Sequence, residues 1–389
     1  MRVTKDKKIE TFDELFRYLI DEQMFNGSVI VSENGSPIYT KVSGVGQRGE
    51  SSQLNNQSSF DTASISKTFT SMAIMMLKEQ QKLRVDDAIE KYLADLPYKG
   101  ITIRNLLTHT SGIPDYIEWF EEYWDRNKIA TNQDIIELFL KGEKPELLSK
   151  PNEKWHYSNT GYILLAELIE KVSGLSYEEY LQRNIFDPLG MESTRPLSRR
   201  MEKEINSIVD GYIYDRINHK YFIPDTIDEH SYVYFLDGVR GDGVINTTAE
   251  DLVKWDQGLY SDELVSEETK MEAFKSAELN DDTKLGYGAG LHPDAEAGYG
   301  FGWSIEENET SGKILAHGGY CAGFHSFIIR YVDSNKSIIY LSNIDYLDFN
   351  ENKIHHDIVL ELENILFDRE IRLPIFPSLT NSTEEIKMN

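Results

Sequence analysis

Ser64 and Lys67 stand three residues apart in Asp61-Thr62-Ala63-Ser64-Ile65-Ser66-Lys67. On a helix that spacing puts both side chains on one side of the same turn. A serine hydroxyl attacks a carbonyl only when a neighbouring base takes its proton, and a lysine at this distance is within reach of that task. Backbone N–H groups at a helix start are unpaired and carry the positive end of the dipole, so they can hold a developing oxyanion. The chemistry on offer is acyl transfer through an ester on the serine. Ser-x-x-Lys alone also fits a solvated serine and a surface lysine on an amphipathic helix. Two later stretches, Tyr157-Ser158-Asn159 and His317-Gly318-Gly319, narrow the reading, because all three occur together and in this order.

The elements that must position these residues follow from periodicity. Ile65, Phe69, Met72, Ala73, Met76 and Leu77 recur at helical spacing, which predicts a helix over about 64–80. Upstream, 11–24 reads as an amphipathic helix, and 28–32 and 38–42 as a hairpin around Asn34-Gly35. The polar stretch 47–59 is a loop. From about 83 to 226 strand signals thin out, and 85–93, 103–107, 132–141, 161–172 and 176–185 look helical. Residues 118–128 read as an amphipathic segment rather than a flap. Gly241, Gly243 and Asn246 to Asp251 suggest a tight turn feeding a capped helix. Strands are expected at 300–305, 313–317, 324–331 and 337–342, a last helix at 354–367, and a fraying polar tail over the final twenty or so residues. The expected fold class is α/β (α+β): residues 1–80 and 232–389 share a sheet domain, and 81–231 form an inserted, mainly helical domain. Ser64, Tyr157 and His317 can meet only in a cleft between the two.

Composition bounds the function. The 389 residues suffice for one large domain or two modest ones, and a formal net charge of −26 repels phosphate backbones, which excludes nucleic acid as a partner. No stretch approaches the roughly 18 apolar residues of a membrane span. The single cysteine, Cys321, makes no internal disulfide, and nothing has the spacing of a structural zinc site. Residues 1–10 are charged without an apolar run. The chain as given is therefore expected to be cytoplasmic, or the exported part of a longer product.

With these motifs assembled, the sequence resembles the penicillin-recognising serine hydrolases, in the branch of class C β-lactamases, D,D-carboxypeptidases, D-aminopeptidases and their esterase relatives. The likeness runs from about residue 25 to 343. It includes Leu106-Leu107-Thr108-His109-Thr110-Ser111-Gly112, Asp187-Pro188-Leu189-Gly190-Met191 and Tyr299-Gly300-Phe301-Gly302-Trp303. The resemblance implies a β-lactamase-like fold, an antiparallel sheet flanked by helices, with Ser64 as nucleophile and Lys67 as its hydrogen-bonded partner. Tyr157 would be general base or acid, and Asn159 would position Lys67 and the substrate amide. His317, Gly318 and Gly319 would line the cleft, and the N–H groups of Ser64 and Tyr320 would form the oxyanion hole. Whether Lys67 or Tyr157 takes the first proton stays open.

One departure matters. Many relatives begin the third motif with lysine, a permanent cation for a substrate carboxylate. An imidazole at His317 is only partly charged near neutral pH. Histidine at this position is familiar among the D-aminopeptidase-like and esterase-like members, so the resemblance implies D-amino-acid amides, short peptides or esters, with weak or no β-lactamase activity. A non-catalytic ligand sensor and an acyltransferase are the alternatives. His109 is read as structural, bonding loop backbone, with His325 packing beside the strand and His156 flanking Tyr157. Cys321 could line the site without acting as nucleophile, and Trp155 and Tyr116 could shape its wall. No metal or organic cofactor is implied, the expected partner is a small molecule or short peptide, and the oligomeric state is open.

Overall fold

The computed structural model describes residues 4–47, 52–141, 146–198, 200, 207–281, 292, 295, 297–347 and 351–371. Helix α1, Lys5–Asp21, opens at Thr4, whose side chain accepts the Lys7 N–H. Strands β1, Gly27–Glu33, and β2, Ser36–Ser43, are joined by Asn34 and Gly35. Both turn residues have positive φ, 50° and 70°, the geometry that Asn-Gly supplies at least cost. Next come α2, Ser66–Glu79, α3, Asn159–Ser173, and α4, Ala249–Gly258. The second half of the sheet follows: β3, Ala297–Tyr299; β4, Ser304–Asn308; β5, Gly312–Cys321; β6, Phe324–Tyr331; and β7, Lys336–Ser342. Helix α5, Glu351–Leu366, closes the described chain.

The seven strands form one sheet in the order β3-β4-β5-β6-β7-β1-β2, every neighbour antiparallel. Alternation along the strands divides the core in two. Ile30, Leu315, Ile328, Ile339 and Leu341 face α2, α3 and α4, against Phe69, Met72, Leu77, Leu164 and Trp255. Val29, Val31, Ile314, Ile329, Ile338 and Tyr340 face α1 and α5, against Phe12, Leu15, Phe16, Leu19, Ile358 and Leu362. One rung of the sheet runs Ile30, Ile339, Ile328, His317. Register therefore turns His317 toward the α2 side, and its neighbour Gly318 toward the other.

The structure differs from the sequence reading at several element ends. The helix expected at 64–80 begins at Ser66, and Ala63–Ile65 is a separate 3-10 turn. The helix expected at 85–93 is a single 3-10 turn, Ile89–Lys91. There the Asp87 carboxylate accepts from the Arg84 N–H, the Lys91 ammonium and the Tyr92 hydroxyl, folding the segment around itself. Helix α3 starts at Asn159, earlier than expected, so the Tyr-Ser-Asn motif ends on a helix start. The strand expected at 300–305 is β4, which begins at Ser304, and β5 runs on to Cys321. Outside the main sheet, Tyr212–Asp215 pairs in parallel with Ile344–Tyr346. The expected polar tail from 372 onward, and 48–51 of the expected loop, lie outside the described residues.

His292 ties the sheet to the last helix. Its Nδ1 and Nε2 each lie 2.8 Å from a carboxylate, Glu306 of β4 and Glu363 of α5. These bonds, first Glu306 and then Glu363, raise its pKa from 6.5 to about 9 against the opposing effect of burial. A pKa raised on folding gives stability that is complete below the unfolded value, about pH 6.5, and is lost as pH rises through about 9. His292→Gln is therefore expected to lower Tm most clearly near pH 6, with the gap closing by about pH 10 in a calorimetric series.

Candidate active site

Ser64 sits on a strained elbow. Ala63, immediately before Ser64, has φ 44°, a left-handed conformation unusual for a residue with a side chain. The Asp61 carboxylate accepts the Ala63 N–H at 2.8 Å, and the Thr62 N–H and hydroxyl both donate to the Ile245 carbonyl, at 2.9 and 2.8 Å. The other side of the elbow is β5. A Cβ on Gly319 would stand 2.0 Å from the Thr62 carbonyl oxygen and 3.3 Å from the Ser64 nitrogen, so only glycine lets the strand pass this close. Gly302, φ 76°, does the same for Lys67, since a Cβ there would lie 2.9 Å from the Lys67 carbonyl oxygen.

Lys67 is fully buried. Its ammonium donates to Ser64 Oγ at 3.0 Å and to the Asp242 carbonyl at 2.7 Å. It also lies 5.1 and 5.6 Å from the ring centroids of Tyr157 and Tyr162, within cation–π range. Burial lowers its pKa to about 8, with Asp242 and then Asp115 opposing the fall. With that pKa about a tenth of the lysine is neutral at pH 7, far more than for an ordinary lysine. The Tyr157 and Ser64 hydroxyls are hydrogen-bonded, and burial pushes the Tyr157 pKa far up, so its resting form is the protonated phenol.

Tyr157 is held by its neighbours. His109, at φ 59°, accepts the Ser158 N–H on Nδ1 at 3.1 Å and the His156 N–H on its carbonyl at 2.9 Å. Its ring packs against Tyr157, centroids 4.2 Å apart. That is the loop-bonding part expected of it. Trp155 packs on the same cluster, 5.9 Å from the His109 ring. The Asn159 N–H and Nδ2 both donate to Asp115 Oδ2, at 3.0 and 2.7 Å, so its amide contacts Lys67's carboxylate neighbour.

Two acids escaped the sequence reading. Asp242 supplies the carbonyl under Lys67, and its carboxylate accepts the Tyr116 hydroxyl at 3.0 Å. Burial raises its pKa to about 6, with Lys67 pulling it down and Asp115 adding to the rise. Burial likewise raises Asp115. The available signals were Gly241-Asp242-Gly243, a carboxylate pinned in a glycine turn, and Pro114-Asp115-Tyr116 just after Ser111-Gly112.

Ser64, Asn159, Asp242 and Tyr320 line one cavity of about 120 Å³, with an apolar wall that includes Ile117, Val233, Leu236 and Val239. Its charged lining residues are Asp61, Asp237 and Asp242. Tyr116 and Cys321 also line it. His317 does not. It is buried, with Nδ1 2.7 Å from the Gly318 carbonyl and Nε2 3.0 Å from the Tyr299 hydroxyl. A carbonyl only accepts, so Nδ1 carries the proton and Nε2 accepts from Tyr299. Burial, with Lys67 nearby, lowers its pKa to about 3, so the ring is neutral. A larger cavity of about 360 Å³ lies along α1 and the end of α5, but it shares no lining residue with this one.

The Beta-lactamase family matches residues 10–362. The chain belongs to the beta-lactamase family. It is 39% identical over 379 residues to Penicillin-binding protein 4* of Bacillus subtilis (strain 168), covering 97% of this chain and 80% of that one. The solved penicillin binding protein from Bacillus halodurans superposes with a TM-score of 0.73 at 25% identity, covering 90% of this chain and 98% of its own. D-amino acid amidase from Ochrobactrum anthropi SV3 shares the fold, with a TM-score of 0.73 at 21% identity over 92% of this chain and 99% of its own. The protein is a serine hydrolase of the beta-lactamase and penicillin-binding-protein-like family, with the β-lactamase-like fold. Among the described residues no helix is long and apolar enough to cross a membrane.

Two substitutions test the geometry. Gly319→Ala forces the Ser64 elbow away from β5, and a shift near 1 Å is expected to cost roughly 100-fold in kcat/KM while the far-UV CD spectrum is kept. Asp242→Asn keeps the carbonyl but removes a charge that raises the Lys67 pKa. If Lys67 is the titrating base, kcat/KM is expected to rise near pH 8 in the parent and at lower pH in the variant. An unmoved limb would mean that Lys67 is not the titrating base.

Proposed function

We propose that this protein is an acyl-hydrolase working through a covalent ester on Ser64, and that it cleaves D-amino-acid amides, short D-peptides or esters with weak or no β-lactamase activity. The observation that carries the reading is the Lys67 ammonium, fully buried, 3.0 Å from Ser64 Oγ and with its pKa lowered to about 8. In the acylation step Ser64 Oγ attacks the scissile carbonyl and its proton passes to neutral Lys67. The resting Tyr157 is protonated, which favours Lys67 as first acceptor and Tyr157 as donor to the leaving group. The N–H groups of Ser64 and Tyr320 hold the oxyanion. Water then cleaves the ester, giving its proton back through the same pair. Asn159, tied to Asp115, orients the substrate amide.

The substrate class rests on charge. The cavity lining carries three aspartates and no cation, although Asp237 is paired with Arg200 and Asp61 holds the Ala63 N–H, and His317 is neutral and engaged internally. Such a site suits a substrate ammonium better than the carboxylate of a β-lactam. The fold shared with D-amino acid amidase agrees with that preference. In this reading residues 81–231 remain a helical insert between the two parts of the sheet domain, 1–80 and 232–389, and the cleft between them admits the substrate. A second reading has one observation in its favour: the relative at 39% identity is named as a penicillin-binding protein. On that reading the acyl group is accepted and scarcely released.

Intact-protein mass spectrometry with a fluorophosphonate probe, with turnover of D-phenylalanine p-nitroanilide and nitrocefin alongside, separates the two. Labelling of the parent chain and none of folded Ser64→Ala, with repeated turnover of the D-amino-acyl substrate, is the expected result. One persistent acyl group per chain from nitrocefin, with no turnover of either compound, would favour the second reading. No label on the folded parent would remove both.

A further inference from the structure

On the face of the sheet away from α2, three buried side chains converge from separate elements. They are His325 of β6, Asp345 of the short strand Ile344–Tyr346, and His355 of α5, exposed by 2%, 0% and 0%. One potential ligand atom from each lies within 4.8 Å of the others. His325 Nε2 is 3.2 Å from Asp345 Oδ1, which also accepts the Tyr346 N–H at 3.0 Å. His355 Nδ1 is 2.8 Å from the Tyr340 hydroxyl. Two atoms are left over. Asp345 Oδ2 and His355 Nε2 are buried and make no hydrogen bond of good geometry, with the Gly323 and Ile344 backbones the polar groups beside these two side chains.

Buried polar atoms are almost always satisfied, and each exception calls for a cause. Neither the catalytic cavity nor the proton path from Ser64 uses these residues. We propose that His325, Asp345 and His355 bind one divalent transition-metal ion, with zinc the member of that class best matched to two imidazoles and a carboxylate. The Tyr340 hydroxyl takes the His355 Nδ1–H, which fixes Nε2 as the ligand nitrogen, the usual outer support of a metal-bound histidine. Asp345 Oδ2 is the free carboxylate ligand.

Binding requires a local adjustment. The His325 and His355 rings are stacked, 4.0 Å apart and 20° from parallel, and an ion drawing the ligand atoms to the roughly 3.3 Å edges of a zinc tetrahedron opens that stack. His325 Nε2, bonded to Asp345, becomes a ligand when the ring's single proton moves to Nδ1, so the imidazole stays neutral. His325 is also the cross-strand partner of Tyr320, with ring centroids 4.9 Å apart. The ion would clamp the end of β5 whose Tyr320 lines the catalytic cavity.

The test is elemental analysis of the full chain, purified without a metal-affinity tag, dialysed against EDTA and then titrated with zinc chloride. One zinc per chain, a higher Tm with zinc and a tetrahedral cobalt(II) spectrum on substitution are expected. Asp345→Asn and His355→Gln are expected to lose the stoichiometric ion. Absence of stoichiometric zinc in the folded parent would overturn the proposal, as would unchanged binding in both variants, which would assign the metal to surface histidines. If a variant fails to fold, the parent's zinc stoichiometry and cobalt spectrum decide alone.

Discussion

The arrangement turns on holding a lysine ammonium in the interior without a paired carboxylate in direct contact. An isolated buried charge is expensive and tends to neutralise. Here the Asp242 carbonyl, Ser64 Oγ and two tyrosine faces soften that cost, and two acids at longer range keep the charged form accessible. The balance leaves Lys67 poised between its two protonation states, which is what a proton carrier needs. Each compensating group arrives from a different part of the chain. The 3-10 elbow brings Ser64, the glycine turn brings Asp242, and the start of α3 brings the Tyr157 segment and, through Asn159, Asp115.

The sheet supplies the rigidity. Its two faces bury two separate cores, so β5 is fixed from both sides while Gly319 passes close against the Ser64 elbow. His317 belongs to this scaffold. Its register commits the ring to the α2 side, and Tyr299 and the Gly318 carbonyl occupy both nitrogens. The absence of cationic charge at the third motif is thus a matter of packing as well as of residue type.

Much of this was legible in the sequence. The hairpin turn, α2, α5 and the later strands carry strong periodic or turn signals, and ordered motifs placed Ser64, Lys67 and Tyr157 in one site. What failed to show did so for physical reasons. Asp242 acts on Lys67 through a carbonyl that every residue possesses, so its side chain gives no warning of that contact. The direction of His317 depends on pairing with Ile328, a long-range fact, although alternation around Leu315 hinted at it. Asp87 unravelled an expected helix by capturing neighbouring donors. His325, Asp345 and His355 have no short-motif spacing, because they are joined by sheet and helix packing alone.

The order of the strands has a consequence for how the chain is made. The first strand pairs with the last strand of the sheet, and the Ser326 hydroxyl reaches the Asp61 carbonyl across 265 residues. At ~5–20 residues per second a ribosome needs roughly 15 to 50 s to cross that interval. Throughout it the N-terminal hairpin waits with an open edge, and the Ser64 elbow lacks the strand that shapes it. The nascent polypeptide therefore carries Ser64 long before the strands that shape its elbow, and the elbow takes its form only once β5 and β6 have been made.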